Sequence, residues 1–273
     1  MINNNILEEI KQANITLPDK VIGEANAKVK QDDIVNYLMM QLVYGKFKDD
    51  MSDDDLVKLS SILVETDMIR WTFYQRDYGN TLGLAMRRCS IPVIRTFFPR
   101  AYGVHCELIA SFCERKDCDL RILKELVHMR HFHYQRDYSM SPAFYQCCAR
   151  GDIEAAKCII DHFEFYYFDD ESFYACCENG HLDMLEWLLT DTRTRAQLCN
   201  NGKELSGGLL SACEYGRVEV VKRLLALNHD PEWEGEKVDI HAYDDEPFLY
   251  AKRKNQTEIL EMLEKEDAFL KNK

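Results

Sequence analysis

Apolar side chains in the second half of the chain recur in short runs at three- and four-residue spacing. Leu182, Leu185, Leu188 and Leu189 form one run, Val218, Val221, Leu224 and Leu225 another, and Ile259, Leu260 and Leu263 a third. Such spacing gathers the aliphatic groups on one face of a helix. Each run follows one short phrase, which is written four times. Cys147-Cys148-Ala149-Arg150-Gly151 leads to Ile159-Ile160, Cys176-Cys177-Glu178-Asn179-Gly180 to Leu188-Leu189, and Ala212-Cys213-Glu214-Tyr215-Gly216 to Leu224-Leu225. A degraded copy, Ala251-Lys252-Arg253-Lys254-Asn255, runs into Ile259-Leu260. The phrase predicts helix, turn, helix. The small pair lets a first helix approach its neighbour, the Gly permits φ > 0, and the second helix is amphipathic. One such hairpin cannot bury its apolar face alone, so the copies are expected to stack with a continuous core.

From Gly151 to Gly180, Gly216 and Asn255 the steps are 29, 36 and 39 residues. They scatter around the roughly 33-residue period of one repeat class. The chain resembles the ankyrin-repeat family at this point. Gly180-His181-Leu182-Asp183-Met184-Leu185-Glu186-Trp187-Leu188-Leu189 and Gly216-Arg217-Val218-Glu219-Val220-Val221-Lys222-Arg223-Leu224-Leu225 follow its Gly-His-Leu-Glu-Val-Val-Lys-Leu-Leu pattern. The family's opening Thr-Pro-Leu-His is poorly kept: Glu246-Pro247-Phe248-Leu249 retains the Pro, Glu171-Ser172-Phe173-Tyr174 and Gly207-Gly208-Leu209-Leu210 do not. Other helix-pair repeats have periods of about 34 to 47 and lack the small-small-x-x-Gly turn. The resemblance implies an all-α, ankyrin-type solenoid of helical hairpins, here irregular, with enlarged loops at Thr190–Ser206 and Asn228–Asp245.

Upstream the signal fades. Thr81 to Arg95 fits the frame with Cys89 in the Gly position and Pro92 where a second helix begins, and Phe112 to Lys124 fits with one inserted residue. Tyr-Gln-Arg-Asp-Tyr stands at both Tyr74–Tyr78 and Tyr134–Tyr138, in keeping with internal duplication. Residues 1–50 show helical spacing (Ile6, Leu7, Ile10; Ile34, Leu38, Leu42) without the phrase, and Asp32-Asp33 suits a helix start. The expected organisation is a helical cap over 1–74, with room for one degenerate repeat around Leu56–Phe73. The array is expected over 75–273, with repeats near 80–98, 108–128, 142–162, 171–190, 207–227 and 246–264.

Six of eleven cysteines, Cys113, Cys147, Cys148, Cys176, Cys177 and Cys213, fall at or near small-residue positions of inner helices. A reduced, buried Cys acts as a small hydrophobe, which points to core packing in a reducing, cytoplasmic compartment. Adjacent cysteines suit zinc poorly. No segment has the roughly 18 apolar residues of a membrane span, and the Asn-rich start lacks signal-peptide features. A net charge of −13 opposes binding to a phosphate backbone. Acid clusters at Asp49–Asp55, Asp169–Glu171 and Asp230–Glu246 are expected in solvated loops.

His128-x-x-His131-x-His133, with Arg130 and Asp137, has metal-ligand residue types but not the placement of two ligands on one helical face. No Gly-rich phosphate loop or Gly-x-Ser-x-Gly elbow is present, and no Cys is singled out as a nucleophile. No catalytic residue, metal or cofactor is assigned.

Ankyrin arrays bind proteins, so the resemblance implies a protein partner on the concave face, with no nucleic acid and no membrane span; a monomer is expected. Positions between the small pair and the Gly point that way: Arg87, Arg88, Ala149, Arg150, Glu178, Asn179, Glu214, Tyr215, Arg253 and Lys254. They run from basic through acidic to basic, with Tyr215 as a central anchor. The run Phe163-Glu164-Phe165-Tyr166-Tyr167-Phe168 holds too many aromatics for one hairpin tip, so Phe165, Tyr166 and Tyr167 either pack under a loop or form a recognition patch. Trp233 and Tyr243 offer a lesser version.

Three alternatives stand beside plain scaffolding. An enzyme would carry its groups in the N-terminal third or around His128–Asp137, with the repeats selecting substrate. Leu17-Pro18-Asp19-Lys20-Val21-Ile22 with Asp33-Ile34 loosely resembles part of an F-box, which would make the chain a ubiquitin-ligase adaptor. Divergent Cys- and Tyr-rich arrays also resemble effectors of intracellular bacterial pathogens. The acidic tail Glu258–Lys273 resembles a type IV secretion signal to the host cytosol, or else reads as an amphipathic last helix.

Overall fold

The computed structural model describes residues 6–28, 31–65, 79–98, 106–128, 141–162, 170–199 and 202–272. These hold seventeen α-helices and no strand among the described residues. They belong to two compact units, Met1–Tyr138 and Ser139–Lys273.

In the first unit α1 (Ile6–Gln12) and α2 (Asp19–Asn26) precede three helix pairs. These are α3 (Gln31–Val43) with α4 (Asp53–Glu65), α5 (Gly79–Arg88) with α6 (Ile91–Phe97), and α7 (Cys106–Cys113) with α8 (Leu120–His128). First members stack on one another, α3 on α5 and α5 on α7, while α4 packs on α6. Leu38, Leu59, Leu63, Ile94, Ile109 and Phe112 are wholly buried between them. The segment with F-box-like residues is α2 and the turn before it, whose Leu17, Val21 and Ala25 are buried. The acidic run is divided between loop and helix: Asp49 and Asp50 lie in the turn before α4, Asp53, Asp54 and Asp55 form its first turn, and Ser52 Oγ accepts from Asp55 N at 3.2 Å. Carboxylates there complement the unpaired N–H groups and the helix dipole.

The second unit holds four hairpins. They are α9 (Ser141–Arg150) with α10 (Ile153–His162), α11 (Asp170–Asn179) with α12 (Leu182–Thr190), α14 (Gly202–Glu214) with α15 (Val218–Ala226), and α16 (Ala242–Arg253) with α17 (Thr257–Lys271). Inner helices stack in the order α9, α11, α14, α16, and outer helices in the order α12, α15, α17. The small residues permit this closeness. Cys147, Cys148, Cys176, Cys177, Ala212 and Cys213 are all buried, and a Cβ on Gly208 would stand 2.3 Å from the Phe173 ring. The acidic tail is the last outer helix, with Ile259 and Leu263 buried.

One enlarged loop differs from expectation and the other is kept. Thr190–Ser206 contains a helix, α13 (Thr192–Cys199), and the start of α14. Asp191 accepts from Arg193 N at 3.0 Å, and Thr194 Oγ1 donates to Leu188 O at 2.7 Å, so side chains supply the bonds that start this helix. In Asn228–Asp245 the Asn228 amide donates to Val238 O at 3.1 Å, and its carbonyl accepts from Val238 N at 2.8 Å. That bracing tucks Trp233 inside at 6 % exposure, which removes it from any exposed recognition patch. Tyr243, Asp244 and Asp245 adopt left-handed φ of 57°, 56° and 64° before the regular turns of α16 begin around Pro247.

Candidate functional site

The repeated phrase builds the carboxyl end of every inner helix of the second unit in the same way. Gly151, Gly180 and Gly216 take φ of +71°, +77° and +70°, and Asn255 of the degraded copy takes 55°. A left-handed residue turns the chain so that the next N–H reaches back to the last helical turn. Asp152, His181, Arg217 and Gln256 accordingly donate to the carbonyls of Cys147, Cys176, Ala212 and Ala251 at 3.0, 3.1, 2.8 and 2.8 Å.

Side chains then tie each turn to the preceding repeat. His181 Nε2 donates to Ala149 O at 2.9 Å, Arg217 Nε to Glu178 O at 2.6 Å, and Lys254 Nζ to Glu214 O at 2.6 Å. In all three, the acceptor is the carbonyl two residues before the turn residue. These helix-end carbonyls lack partners within their own helix, so positive or donor side chains suit them doubly. Outer helices carry a parallel tie, Arg223 of α15 to Glu186 of α12.

The same ladder gathers several sequence-predicted residues. Tyr215 is 47 % exposed, and Lys254 Nζ lies 5.3 Å from its ring centroid and 5.6 Å from that of Tyr250. Negative charge on Glu178 and then Glu214 raises the Tyr215 pKa. Glu178, Glu214, Tyr215 and Lys254 thus come from three successive repeats to one surface patch. Tyr250 joins them unforeseen, because it precedes the degraded phrase by one residue and has no counterpart in the other copies.

Other predicted residues sit elsewhere. Arg150 is tied to Asp152 in its own turn, Asn179 Nδ2 donates to Ala175 O at 2.8 Å, and Arg253 is exposed on α16. In the first unit Arg87 pairs with Glu114 at 2.6 Å, and the Arg88 guanidinium lies 5.7 Å over the Tyr44 ring. Phe165, Tyr166 and Tyr167 lie outside the described residues, as do Arg130, His131, His133, Asp137 and both Tyr-Gln-Arg-Asp-Tyr copies. His128 ends α8 with Nδ1 2.6 Å from Lys124 O.

Burial pushes the Cys89 thiol up to about 11 and Cys213 to about 12, and raises Cys177 as well. Nucleophilic thiols are shifted the other way. Among the described residues no group of three or more His, Cys, Asp or Glu is placed to hold a metal ion. No helix of the described residues is long and apolar enough to cross a membrane.

Residues 173–273 match the family model of ankyrin repeats, in three copies. No curated protein and no solved structure matches the chain. The match covers the last three hairpins of the second unit; the first two keep the glycine turn and the small pair, and the third has Asn255 and Ala251-Lys252 in their places. Residues 173–273 are ankyrin repeats, which suggest a protein-interaction domain.

Proposed function

We propose that the chain is a protein-binding scaffold whose partner docks on the patch formed by Glu178, Glu214, Tyr215, Tyr250 and Lys254. One observation carries this reading: Tyr215, nearly half exposed, stands at the meeting of three repeats with carboxylates on one side and a cation over its face. A tyrosine anchor held by neighbours loses little freedom on binding and offers both an apolar face and a hydroxyl. The mixed charges around it favour selectivity and association rate more than raw affinity. Net charge of −13 and the two carboxylates favour a partner segment with basic residues beside an apolar group. Burial of Cys147, Cys148, Cys176, Cys177 and Cys213 as small apolar groups supports a reducing, cytoplasmic setting.

The test is affinity capture with the native chain and with a Tyr215→Ala, Glu178→Lys variant of unchanged circular dichroism. The expected result is a near-stoichiometric protein that the variant loses. A partner retained equally by both forms would place recognition elsewhere.

A further inference from the structure

Tyr250 and Lys254 stand one turn apart at the end of α16, and Tyr215 directly follows the neighbouring inner helix α14. A four-residue spacing puts two side chains on one helix face. The Lys254 ammonium consequently reaches both rings, 5.3 Å from the Tyr215 centroid and 5.6 Å from that of Tyr250. It also donates to Glu214 O at 2.6 Å and lies 3.7 Å from the Glu214 carboxylate. Every group that meets it attracts a cation: two ring faces through their quadrupoles, a carbonyl at a helix carboxyl end, and a carboxylate.

The occupant of this site is loosely held. The Lys254 side chain is 44 % exposed, on a flexible four-carbon stem that solvent can receive, and Tyr215 is similarly open. Nearby, the Arg217 Nε donates to Glu178 O, Glu246 lies one turn before Tyr250, and Lys252 and Arg253 are exposed on α16. An ammonium is accommodated among these charges already, namely that of Lys254. Its withdrawal leaves the Glu214 carbonyl and carboxylate without that cation, in a chain of net charge −13.

On the reading that the partner docks at this patch, we propose that Lys254 is an internal stand-in for a lysine of that partner. The partner's ammonium takes the place against Tyr215, Tyr250 and Glu214 while Lys254 swings into solvent. The exchange leaves the bonds at the site unchanged. Because Lys254 is tethered, its high effective concentration excludes free ammonium groups and admits a lysine that further partner contacts hold in place. A primary ammonium is selected, since a quaternary one cannot donate to Glu214 O.

The experiment is a nuclear magnetic resonance titration of the full chain, ring-labelled at tyrosine, in native and Lys254→Ala forms of matching circular dichroism. The probes are Nα-acetyl-lysine amide, its Nε-trimethyl form and Nα-acetyl-norleucine amide. Lys254→Ala should bind the lysine probe saturably and about tenfold more tightly than the native chain, with the trimethyl form about threefold weaker and no saturable binding of norleucine. Adding Tyr215→Ala or Tyr250→Ala should weaken the lysine probe at least about threefold, and Lys11→Ala alone should behave as native. In the native protein, with no substitution, the Lys254 side-chain methylene protons next to the ammonium should resonate upfield of those of exposed lysines. No saturable binding to Lys254→Ala, equal binding by the native chain, equal binding of norleucine, or trimethyl binding as tight as lysine overturns the proposal. A partner that capture shows to need Tyr215, with no lysine binding here, keeps the docking patch and removes this inference; lysine binding here with capture unaffected keeps the ammonium site and overturns the docking reading.

Discussion

His181 lies directly against Gly151: a Cβ on that glycine would stand 2.7 Å from His181 Nδ1, while the other ring nitrogen donates to Ala149 O. Glycine is therefore required twice over, by its positive φ and by the ring packed on it. The next turn repeats the relationship with Arg217 on Gly180, and the one after with Gln256 on Gly216.

Replacing each turn glycine by alanine should give a graded loss of stability. Left-handed φ alone costs about 1–2 kcal/mol for an L-residue. Gly216→Ala should lose about that much, since its nearest obstacle, Gln256 Nε2 at 3.1 Å, is the end of a flexible side chain. Gly180→Ala meets Arg217 Cδ at 2.9 Å and should lose more, and Gly151→Ala, against a pinned imidazole, the most. Urea midpoints followed by circular dichroism would check the order; equal losses would show that the packed side chains contribute nothing.

Gly208→Ala sets two effects against each other. Helix propensity favours alanine by about 1 kcal/mol. The new methyl would overlap the wholly buried Phe173 ring at 2.3 Å and approach Cys177 Sγ at 3.1 Å, and overpacking costs about 1–3 kcal/mol. Net destabilisation is expected in thermal melts, with partial recovery in a Gly208→Ala, Phe173→Leu double variant.

Thiol accessibility should divide sharply. Cys118 and Cys199 are partly exposed, whereas Cys89, Cys113, Cys147, Cys148, Cys158, Cys176, Cys177 and Cys213 are buried. A thiol-specific reagent on the native protein, read by peptide mass spectrometry, should label Cys118 and Cys199 quickly and the buried eight only after denaturant is added. Fast labelling at Cys176 or Cys177 would contradict the packing of α11 between its neighbours.

His241 should confer a pH-dependent clasp on the last hairpin. Its ring bonds to Asp245 and, at 3.1 Å, to Asp267, and these partners, Asp245 first, raise its pKa above the ordinary histidine value. A raised folded-state pKa means that the contribution is complete below the unfolded value of about 6.5 and is lost as pH rises through the folded one. The native protein should therefore exceed His241→Gln in thermal stability by more at pH 5.5–6 than at pH 8.5, and the His241 resonance should titrate above 6.5.

The helical hairpins and their turns were legible because the signal is local. A small pair, a Gly and an aliphatic period each act within one hairpin. Several functional features were not, for reasons of distance along the chain. Tyr250 reaches the patch only because Lys254 lies between it and Tyr215. Helix α13 depends on Asp191 and Thr194 side chains within a segment that carries no apolar period. Arg115 looks like a surface residue until the carbonyls of Met86 and Cys89, more than twenty residues earlier, receive its protons.

The chain's own pattern determined the ankyrin-type hairpins, the left-handed turn at Gly151, Gly180, Gly216 and Asn255, and the burial of the cysteine pairs, since backbone sterics and amphipathic spacing need no distant partner. Which polar residues face outward was decided by tertiary structure. Arg150, Glu178 and Lys254 occupy equivalent neighbourhoods in the phrase, yet one is tied to Asp152, one meets Tyr215 and one covers two tyrosine rings. The repeat on the far side of each turn sets those contacts, through distances that only stacking defines.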